Sequence, residues 1–242
     1  MYMSRLIFAA GLIVVAHAAF AQAPTGSTPA STAPKPSAAP AASANAKAAS
    51  ARFIEALQKQ TAIKSYQWTE TMVVSVDGKE KATVVNTCGY NEDGGVSRTP
   101  VKGERTQVAK GTPGTAPEID SYVNSAVAVM RGYVRPKPEK LQACEDAGRV
   151  SVSTDGKGQK LEYRDYLKPG DILTLVLDPS TSQILSSSAS TYVINSNDRA
   201  EIHTEMAQLP DGSSYPSHIK FDTPGRQMGI VATDSNYRKK SS

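Results

Sequence analysis

Two histidines and a glutamate in the late part of the chain are the residues whose types could hold a metal ion. His203 and Glu205 would share one face of a strand, and His218 follows after an Asp211-Gly212 turn. Two imidazoles and a carboxylate form a ligand set that zinc accepts. Their spacing matches no common zinc motif, and alternating strands often carry polar pairs on exposed faces. We therefore expect surface positions for these side chains, and neither a metal nor a cofactor.

The sequence also shows no recognisable set of residues for nucleophilic, carboxylate or phosphate chemistry. A serine nucleophile needs an adjacent base, and the chain contains no Gly-x-Ser-x-Gly elbow. Glu162 and Asp165 form a carboxylate pair, but nothing in the sequence places them in a cleft. The glycine pairs at 94–95 and 156–158 are typical of turns, not of phosphate loops that open a helix. We predict that the protein is not an enzyme.

The charge of the chain gives no reason to expect a nucleic-acid partner. Lys and Arg number 27 against 23 Asp and Glu, a formal net charge of +4. The basic residues are scattered, apart from the tail Arg238-Lys239-Lys240. Nucleic-acid binding requires a concentrated basic surface, so we expect no nucleic acid and a solvated terminus.

The first residues are typical of a secretory signal peptide. Arg5 precedes an apolar run over 6–20, and Ala19-Phe20-Ala21 is a small-x-small cleavage site. The run is shorter than the roughly 20 residues that span a bilayer, and no later stretch is long and apolar enough to do so. We predict a signal peptide over 1–21, cleavage after Ala21, no transmembrane span in the mature chain, and a periplasmic or secreted protein.

A compositional change then separates a linker from a domain. Residues 22–50 are almost entirely Ala, Pro, Ser and Thr, which cannot bury enough apolar surface to offset the entropy of ordering. We expect a disordered linker there and one domain over 51–242, which is long enough to bury a sizeable core.

Two cysteines lie inside this domain, at Cys88 and Cys144. Two thiols in one exported domain most often pair, so a Cys88–Cys144 disulfide is our prediction. Free buried thiols and a redox role are the alternatives, although neither cysteine has a Cys-x-x-Cys partner.

Most of the domain has the pattern of antiparallel strands. Turn signals such as Asp155-Gly156 and Pro224-Gly225 divide residues 148–237 into short runs rich in Val, Ile, Thr and Tyr. Upstream, a strand pair over 65–90 surrounds the Asp77-Gly78 turn. Residues 96–114 are polar, with one further edge strand expected near 105–108.

Two helices interrupt the strand pattern. Ser50 is a suitable N-cap for a short helix over 51–61. Thr115 and Glu118 form a capping box before a second helix, which ends before Pro136 and Pro138 and is followed by a helical turn over 138–147. Its apolar positions follow helical spacing along one stripe: Ile119, Tyr122, Val123, Ala126, Met130, Tyr133 and Val134.

One predicted strand has small residues on both of its faces, from Ser186 to Thr191. Small side chains leave room for something else to pack on a sheet. The second helix and a ligand are both candidates, and the helix is the more ordinary one.

Two short segments carry a family resemblance. Residues 175–185 resemble a strand-turn-strand of the form hydrophobic-Asp-x-x-Thr-x-x-Ile, and residues 209–219 resemble a hairpin with Asp-Gly-x-x-x-Pro-x-x-Ile. With the order of elements, these segments are similar to the LolA-like periplasmic carriers, a superfamily that includes LolB and RseB-like proteins. The resemblance implies an α+β fold: a curved antiparallel half-open β-barrel covered by an N-terminal helix and an inserted helix.

The resemblance also implies a function. LolA-like proteins bind lipids or lipoprotein acyl chains, or interact with an envelope protein. Lid residues facing the concave side would then be Ile119, Tyr122, Val123, Ala126 and Met130. We expect an exported, non-enzymatic protein that binds a lipid, a lipoprotein acyl chain or another apolar ligand. The alternative is an envelope protein-interaction, scaffold or sensor domain whose concave face is filled.

Overall fold

A single antiparallel sheet forms most of the structure, a computed structural model that describes residues 39–59, 62–92, 94–101, 116–156 and 158–240. Within these residues the sheet has ten strands: β1 (Tyr66–Val76), β2 (Lys79–Tyr90), β3 (Val96–Pro100), β4 (Val150–Asp155), β5 (Gly158–Arg164), β6 (Ile172–Leu177), β7 (Ile184–Tyr192), β8 (Arg199–Gln208), β9 (Ser214–Thr223) and β10 (Met228–Lys239). The same part of the chain contains three α-helices: α1 (Ala39–Lys59), α2 (Ala116–Val134) and α3 (Pro138–Asp146).

The strand order shows how the early strands, β1–β3, join the later strands, β4–β10, in one sheet. It runs β3-β2-β1-β10-β9-β8-β7-β6-β5-β4, so β4 to β10 are neighbours in chain order. This confirms the expected meander. The last strand then pairs with the first, with Met72 opposite Ala232, which adds β1–β3 to the end of the meander.

The sheet is curved and open. Strands β3 and β4 stand at its two ends. Register shifts interrupt the ladders, for example between Val74 and Ser75 and between Glu205 and Met206. Such bulges bend a strand and increase its twist, and a sheet of this size curls. The predicted α+β class is therefore confirmed, with a half-open antiparallel sheet, an N-terminal helix and inserted helices.

The core lies between the concave face and the helices. Alternate residues of β6, namely Leu173, Leu175 and Leu177, are almost completely buried, as expected for a central strand. Helix α2 packs on β7, β8 and β9, whereas α1 packs on β4, β5 and α3. The large side chains buried between these layers include Phe53, Met130, Tyr133, Tyr163, Leu161, Ile202 and Phe221.

Helix α1 begins at Ala39, inside the segment that the sequence indicates as a disordered linker. Its buried residues Ala46, Ala49, Ser50, Phe53 and Ile54 form one helical stripe. Alanine is the best helix former, and small side chains allow a close approach to the sheet; the Ser50 hydroxyl lies 3.1 Å from that of Tyr163. Helix α1 therefore includes residues 39–50, which were expected to belong to the linker, and residues 22–38 lie outside the described part.

The inserted helices agree with their predicted positions. Helix α2 ends at Val134 and α3 begins at Pro138. The Tyr133 hydroxyl lies 2.8 Å from that of Thr191 on β7, where Ala189 is also buried. The small residues of β7 therefore receive α2, the more ordinary of the two alternatives. The edge strand β3 lies earlier than expected, and residues 105–108 are outside the described part.

The predicted disulfide is absent, and the prediction is wrong for this structure: Cys88 and Cys144 are both free and buried. Cys88 lies on β2, near one end of the sheet order, whereas the Cys144 thiol faces the carbonyl oxygens of Arg164 and Asp165 after β5, near the other end. Burial raises the pKa of Cys88 to about 12, with Glu70 as a second cause, so this thiol is protonated and unreactive.

One carboxylate ties α2 to the loop after β5. Asp171 is 1% exposed and accepts hydrogen bonds from the backbone N–H groups of Tyr166, Leu167 and Lys168 at 2.5, 3.0 and 2.8 Å. It also accepts one from the Tyr133 hydroxyl. We predict that Asp171→Ala lowers the free energy of unfolding by about 3 kcal/mol in urea denaturation, because it leaves these buried donors without an acceptor.

Asp178→Ala provides the matched control. Asp178 accepts backbone bonds from Ser180 and Thr181 within its own exposed turn, and no helix depends on it. Its replacement is expected to cost clearly less than that of Asp171. Equal losses would contradict the assigned role of Asp171.

Candidate functional site

A cavity of about 610 Å³ opens at one end of the concave face. Helix α2 contributes Met130 and Val134, and the sheet contributes Ile184, Met206 and Ile219. Leu57 at the end of α1 and Ile63 in the following 3₁₀ turn complete an apolar surface. These seven side chains are called the apolar wall below. Such a surface can bind hydrocarbon but offers no hydrogen bonds.

The same cavity is also lined by a buried carboxylate, Glu70, that is shared by two arginines. Glu70 faces inward from β1, and its side chain is 6% exposed. The Nε of Arg98 on β3 lies 3.0 Å from Glu70 Oε1, and a terminal nitrogen of Arg131 on α2 lies 3.3 Å from the same oxygen. Asn86 of β2 donates a further hydrogen bond to Glu70 at 3.2 Å. The Glu70 cluster thus joins β1, β2, β3 and α2 through one buried charge.

A second ion pair lies beside this cluster. Arg135 follows α2 and lies 3.4 Å from Asp234 Oδ2 on β10. Its guanidinium stands over the rings of Trp68 and Tyr90, at 4.9 and 5.2 Å from the centroids, and donates to the Tyr90 hydroxyl. Arg135 is therefore fixed by charge and by two aromatic faces, which holds the end of α2 over β1 and β2.

Burial controls the protonation of Asp234. Desolvation raises the pKa of this carboxyl to about 6, the attraction of Arg135 opposes the rise, and repulsion from Glu70 adds to it. Burial also lowers the pKa of the Arg131 guanidinium, and the nearby Arg98 adds to that effect. Both effects follow because a low-dielectric cavity wall disfavours charge.

Three polar atoms at the cavity are buried and make no hydrogen bond within the described part of the chain. They are Asp234 Oδ1, Arg131 Nε and Ser214 Oγ, and their residues all line the cavity. Buried polar atoms are nearly always paired in folded proteins. Three polar groups on the cavity lining are therefore incompletely paired by the described part of the chain.

The predicted lid residues fall into different environments. Met130 lies on the apolar wall, whereas Ala126 and Tyr122 lie in the packed part of the core. The Tyr122 hydroxyl donates to Asp198 at 2.9 Å, and Val123 is half-buried against the same core. The side chain of Ile119 is outside the described part. Ligand contact therefore remains a prediction, which the cavity supports at Met130.

Sequence reasoning missed the charged residues of the site, although one of them left a signal. Tyr66, Trp68, Met72 and Val74 are inward positions of β1, and the same alternation makes Glu70 inward. A single charge on an otherwise apolar strand face indicates a buried ionic site. The partners Arg98 and Arg131 carry no such signal, because they lie 28 and 61 positions away.

The residues first considered for metal binding lie elsewhere. His203 and Glu205 are exposed on β8, and Glu205 stands opposite His218 on β9. Among the residues that the structure describes, no group of three His, Cys, Asp or Glu side chains could hold a metal ion. Helices α1, α2 and α3, as described, are all too short or too polar to cross a membrane.

The chain matches several solved structures, all at low sequence identity. No family model matches the sequence, and no curated protein matches it. Among solved structures, a DUF1329 family protein from Desulfovibrio piger is 13% identical, with a TM-score of 0.45, covering 81% of this chain and 94% of that one.

Two further solved structures are similar to the chain, and one of them carries the LolA name. A LolA superfamily protein from Nitrosomonas europaea is 11% identical with a TM-score of 0.39, covering 80% of this chain and 94% of that one. A putative outer membrane lipoprotein-sorting protein domain from Vibrio parahaemolyticus has the same identity and coverages, with a TM-score of 0.42. The fold and cavity together describe a half-open β-sheet domain with a helix-covered cavity, and function is inferred below from that cavity.

The buried carboxyl of Asp234 predicts a specific pH dependence. Its pKa is higher in the folded than in the unfolded chain, so the folded state binds the proton more tightly. Its contribution to stability is complete below about pH 4, the ordinary range for Asp, and is lost as the pH rises through about 6. We expect the free energy of unfolding of the wild type, relative to Asp234→Asn, to fall by about 2–3 kcal/mol between pH 4 and pH 7.

Urea denaturation at several pH values measures this difference. Asp222→Asn is the control, because Asp222 pairs with Lys220 on an exposed strand surface. The curves for wild type and Asp222→Asn should run parallel. A wild-type curve that also ran parallel to Asp234→Asn would contradict the assigned desolvation.

Proposed function

We propose that this protein is an exported, non-enzymatic carrier or sensor that binds the apolar chain of an amphiphile, such as a lipid or a lipoprotein acyl group. The observation that carries the proposal is the cavity between α2 and the concave face. Its volume of about 610 Å³ falls within the roughly 300–1,000 Å³ that is typical of small-molecule sites. The signal peptide expected over 1–21 accounts for export.

The apolar wall favours a hydrocarbon chain over a compact polar ligand. It contains Met130 and Met206, and methionine adapts its shape to irregular apolar partners. Burial of each methylene group contributes about 0.8 kcal/mol, so the affinity grows with the length of chain that the cavity accepts.

The polar side of the cavity is suited to binding and not to catalysis. Glu70, Arg98 and Arg131 are engaged with one another, and Asp234 is paired with Arg135. Neither group presents a nucleophile beside a base, which is the arrangement that acyl-transfer chemistry needs. The nearby Cys88 thiol is held in its protonated form by burial.

The second candidate is a domain that interacts with an envelope protein. The packed core beneath α2 favours it, because Tyr122, Ala126 and Tyr133 fill that part of the concave face. The two candidate functions differ in whether the remaining cavity binds an apolar ligand. An interaction domain would leave it without an apolar ligand.

Filling the cavity distinguishes these candidates. We predict that Met206→Trp lowers the affinity for the uncharged dye Nile red by about tenfold, a loss of about 1.4 kcal/mol, because the larger ring occupies the apolar wall. The dye titration measures this loss through the rise in fluorescence on binding.

Leu185→Trp is the matched control on the neighbouring strand. Leu185 is 41% exposed and lies outside the cavity lining, so the same replacement should leave dye affinity unchanged. The carrier or sensor proposal fails if wild type does not bind the dye, or if both variants lose affinity equally.

A further inference from the structure

The charges around the cavity are unbalanced. The lining residues that the structure describes include five cationic side chains, Lys64, Arg98, Arg131, Arg135 and Lys137, against two carboxylates, Glu70 and Asp234. Asp234 is already paired with Arg135. Around Glu70 one carboxylate faces two arginines, and Lys64 and Lys137 add two further positive charges to the lining.

The geometry of the Glu70 cluster leaves donors available to a ligand. Arg131 reaches Glu70 through one terminal nitrogen, and its Nε–H has no partner in the described part of the chain. Arg98 reaches both Glu70 oxygens through Nε, at 3.0 and 3.1 Å, and one of its terminal nitrogens donates to the Val96 carbonyl oxygen at 3.5 Å. A guanidinium has five N–H donors, so two arginines cannot be satisfied by one carboxylate.

The position of these arginines relative to the apolar wall indicates how far apart the polar and apolar parts of a ligand would be. Arg131 follows Met130 directly on α2, and both side chains line the same cavity. The Arg131 side chain is 35% exposed and that of Arg98 is 23% exposed. A molecule that reached both features would have an apolar chain and an acidic head group only a few atoms apart.

We propose that Arg98 and Arg131 form a recognition site for the anionic head group, carboxylate or phosphate, of the amphiphile whose chain lies on the apolar wall. The inference rests on the proposed function and adds the chemical class of the ligand. Glu70 has two roles in this site. It holds the guanidinium groups in position, and it reduces their attraction for the incoming anion.

Ligands with the same chain and different heads test the proposal. Displacement of Nile red is measured for dodecyl phosphate, dodecanoate, dodecanol and dodecyltrimethylammonium below their micelle concentrations, and inorganic phosphate is tested alone. Wild type should bind the two anionic amphiphiles about tenfold more tightly than dodecanol, because charge-assisted hydrogen bonds add to chain burial.

Two substitutions should act in opposite directions. Arg131→Gln should reduce the preference for dodecyl phosphate over dodecanol about fivefold, while Arg98 and Asn86 still pair Glu70. Glu70→Gln should increase the same preference, because it removes the competing charge. Arg149→Gln should change nothing, since Arg149 pairs with Asp165 outside the cavity lining.

The outcomes separate this inference from the proposed function. Equal affinity for anionic, neutral and cationic heads would overturn the head-group site and leave chain binding intact. Failure of all four amphiphiles to displace the dye would overturn chain binding itself. Inorganic phosphate that binds as tightly as dodecyl phosphate would show a free-anion site in place of a lipid head-group site. A loss of preference in both Arg131→Gln and Glu70→Gln would indicate a structural role only.

Discussion

The attachment of helix α2 to the concave face is the interaction on which the rest of the structure depends. Tyr133 is completely buried and bonds to Thr191 on β7 and to Asp171 in the loop after β5. The same helix buries Ala126 and Met130 against the sheet. These contacts divide the concave face into a filled part beneath α2 and a cavity at the C-terminal end of the helix.

The boundary between these two parts is formed by buried charges. Glu70 and Asp234 are both inward residues of central strands, each 5% exposed, and removing a carboxylate from water is costly unless it is paired. Arg131 and Arg135, at the end of α2, supply that pairing together with Arg98. The ion pairs therefore position the helix end over β1 and β2, and they place polar groups beside the apolar wall.

The two kinds of surface in the cavity are the reason for proposing an amphiphilic ligand. A purely apolar molecule would cover the guanidinium groups of Arg98 and Arg131 without offering them an acceptor, and unpaired buried donors destabilise a complex. A purely polar molecule would leave Val134, Ile184 and Met206 in contact with water. The proposed amphiphile, a chain with an acidic head, would offer a partner to both surfaces.

The sheet and the inserted helices could be predicted because their signals are local. Turn residues mark the ends of the strands, and the stripe from Tyr122 to Val134 has a helical period. The first half of α1 could not be predicted, since its alanines and serines resemble a linker and become helical through contact with Tyr163 and its neighbours. The prediction of a disulfide was wrong for a related reason. The number of cysteines in a sequence does not say where the fold places Cys88 and Cys144.

The charged half of the site depends on contacts between distant parts of the chain. Arg135 and Asp234 are 99 positions apart, and their pairing follows only once β10 returns to β1. Glu70 alone could have been identified, as the one charge in an inward series of β1. The sequence therefore predicts the sheet and its helices, whereas the buried charges that line the cavity emerge from the tertiary structure.

The most direct test of apolar-chain binding uses the single tryptophan of the chain, Trp68. Its ring is 2% exposed and contacts Arg135 and Tyr90, which both line the cavity. Fatty acids brominated along the chain quench tryptophan only at short range. Saturable quenching at one fatty acid per protein, reversed by the unbrominated acid and not reproduced by aqueous iodide, is the predicted result. Unchanged Trp68 fluorescence for every bromine position would contradict the binding of an apolar chain in this cavity.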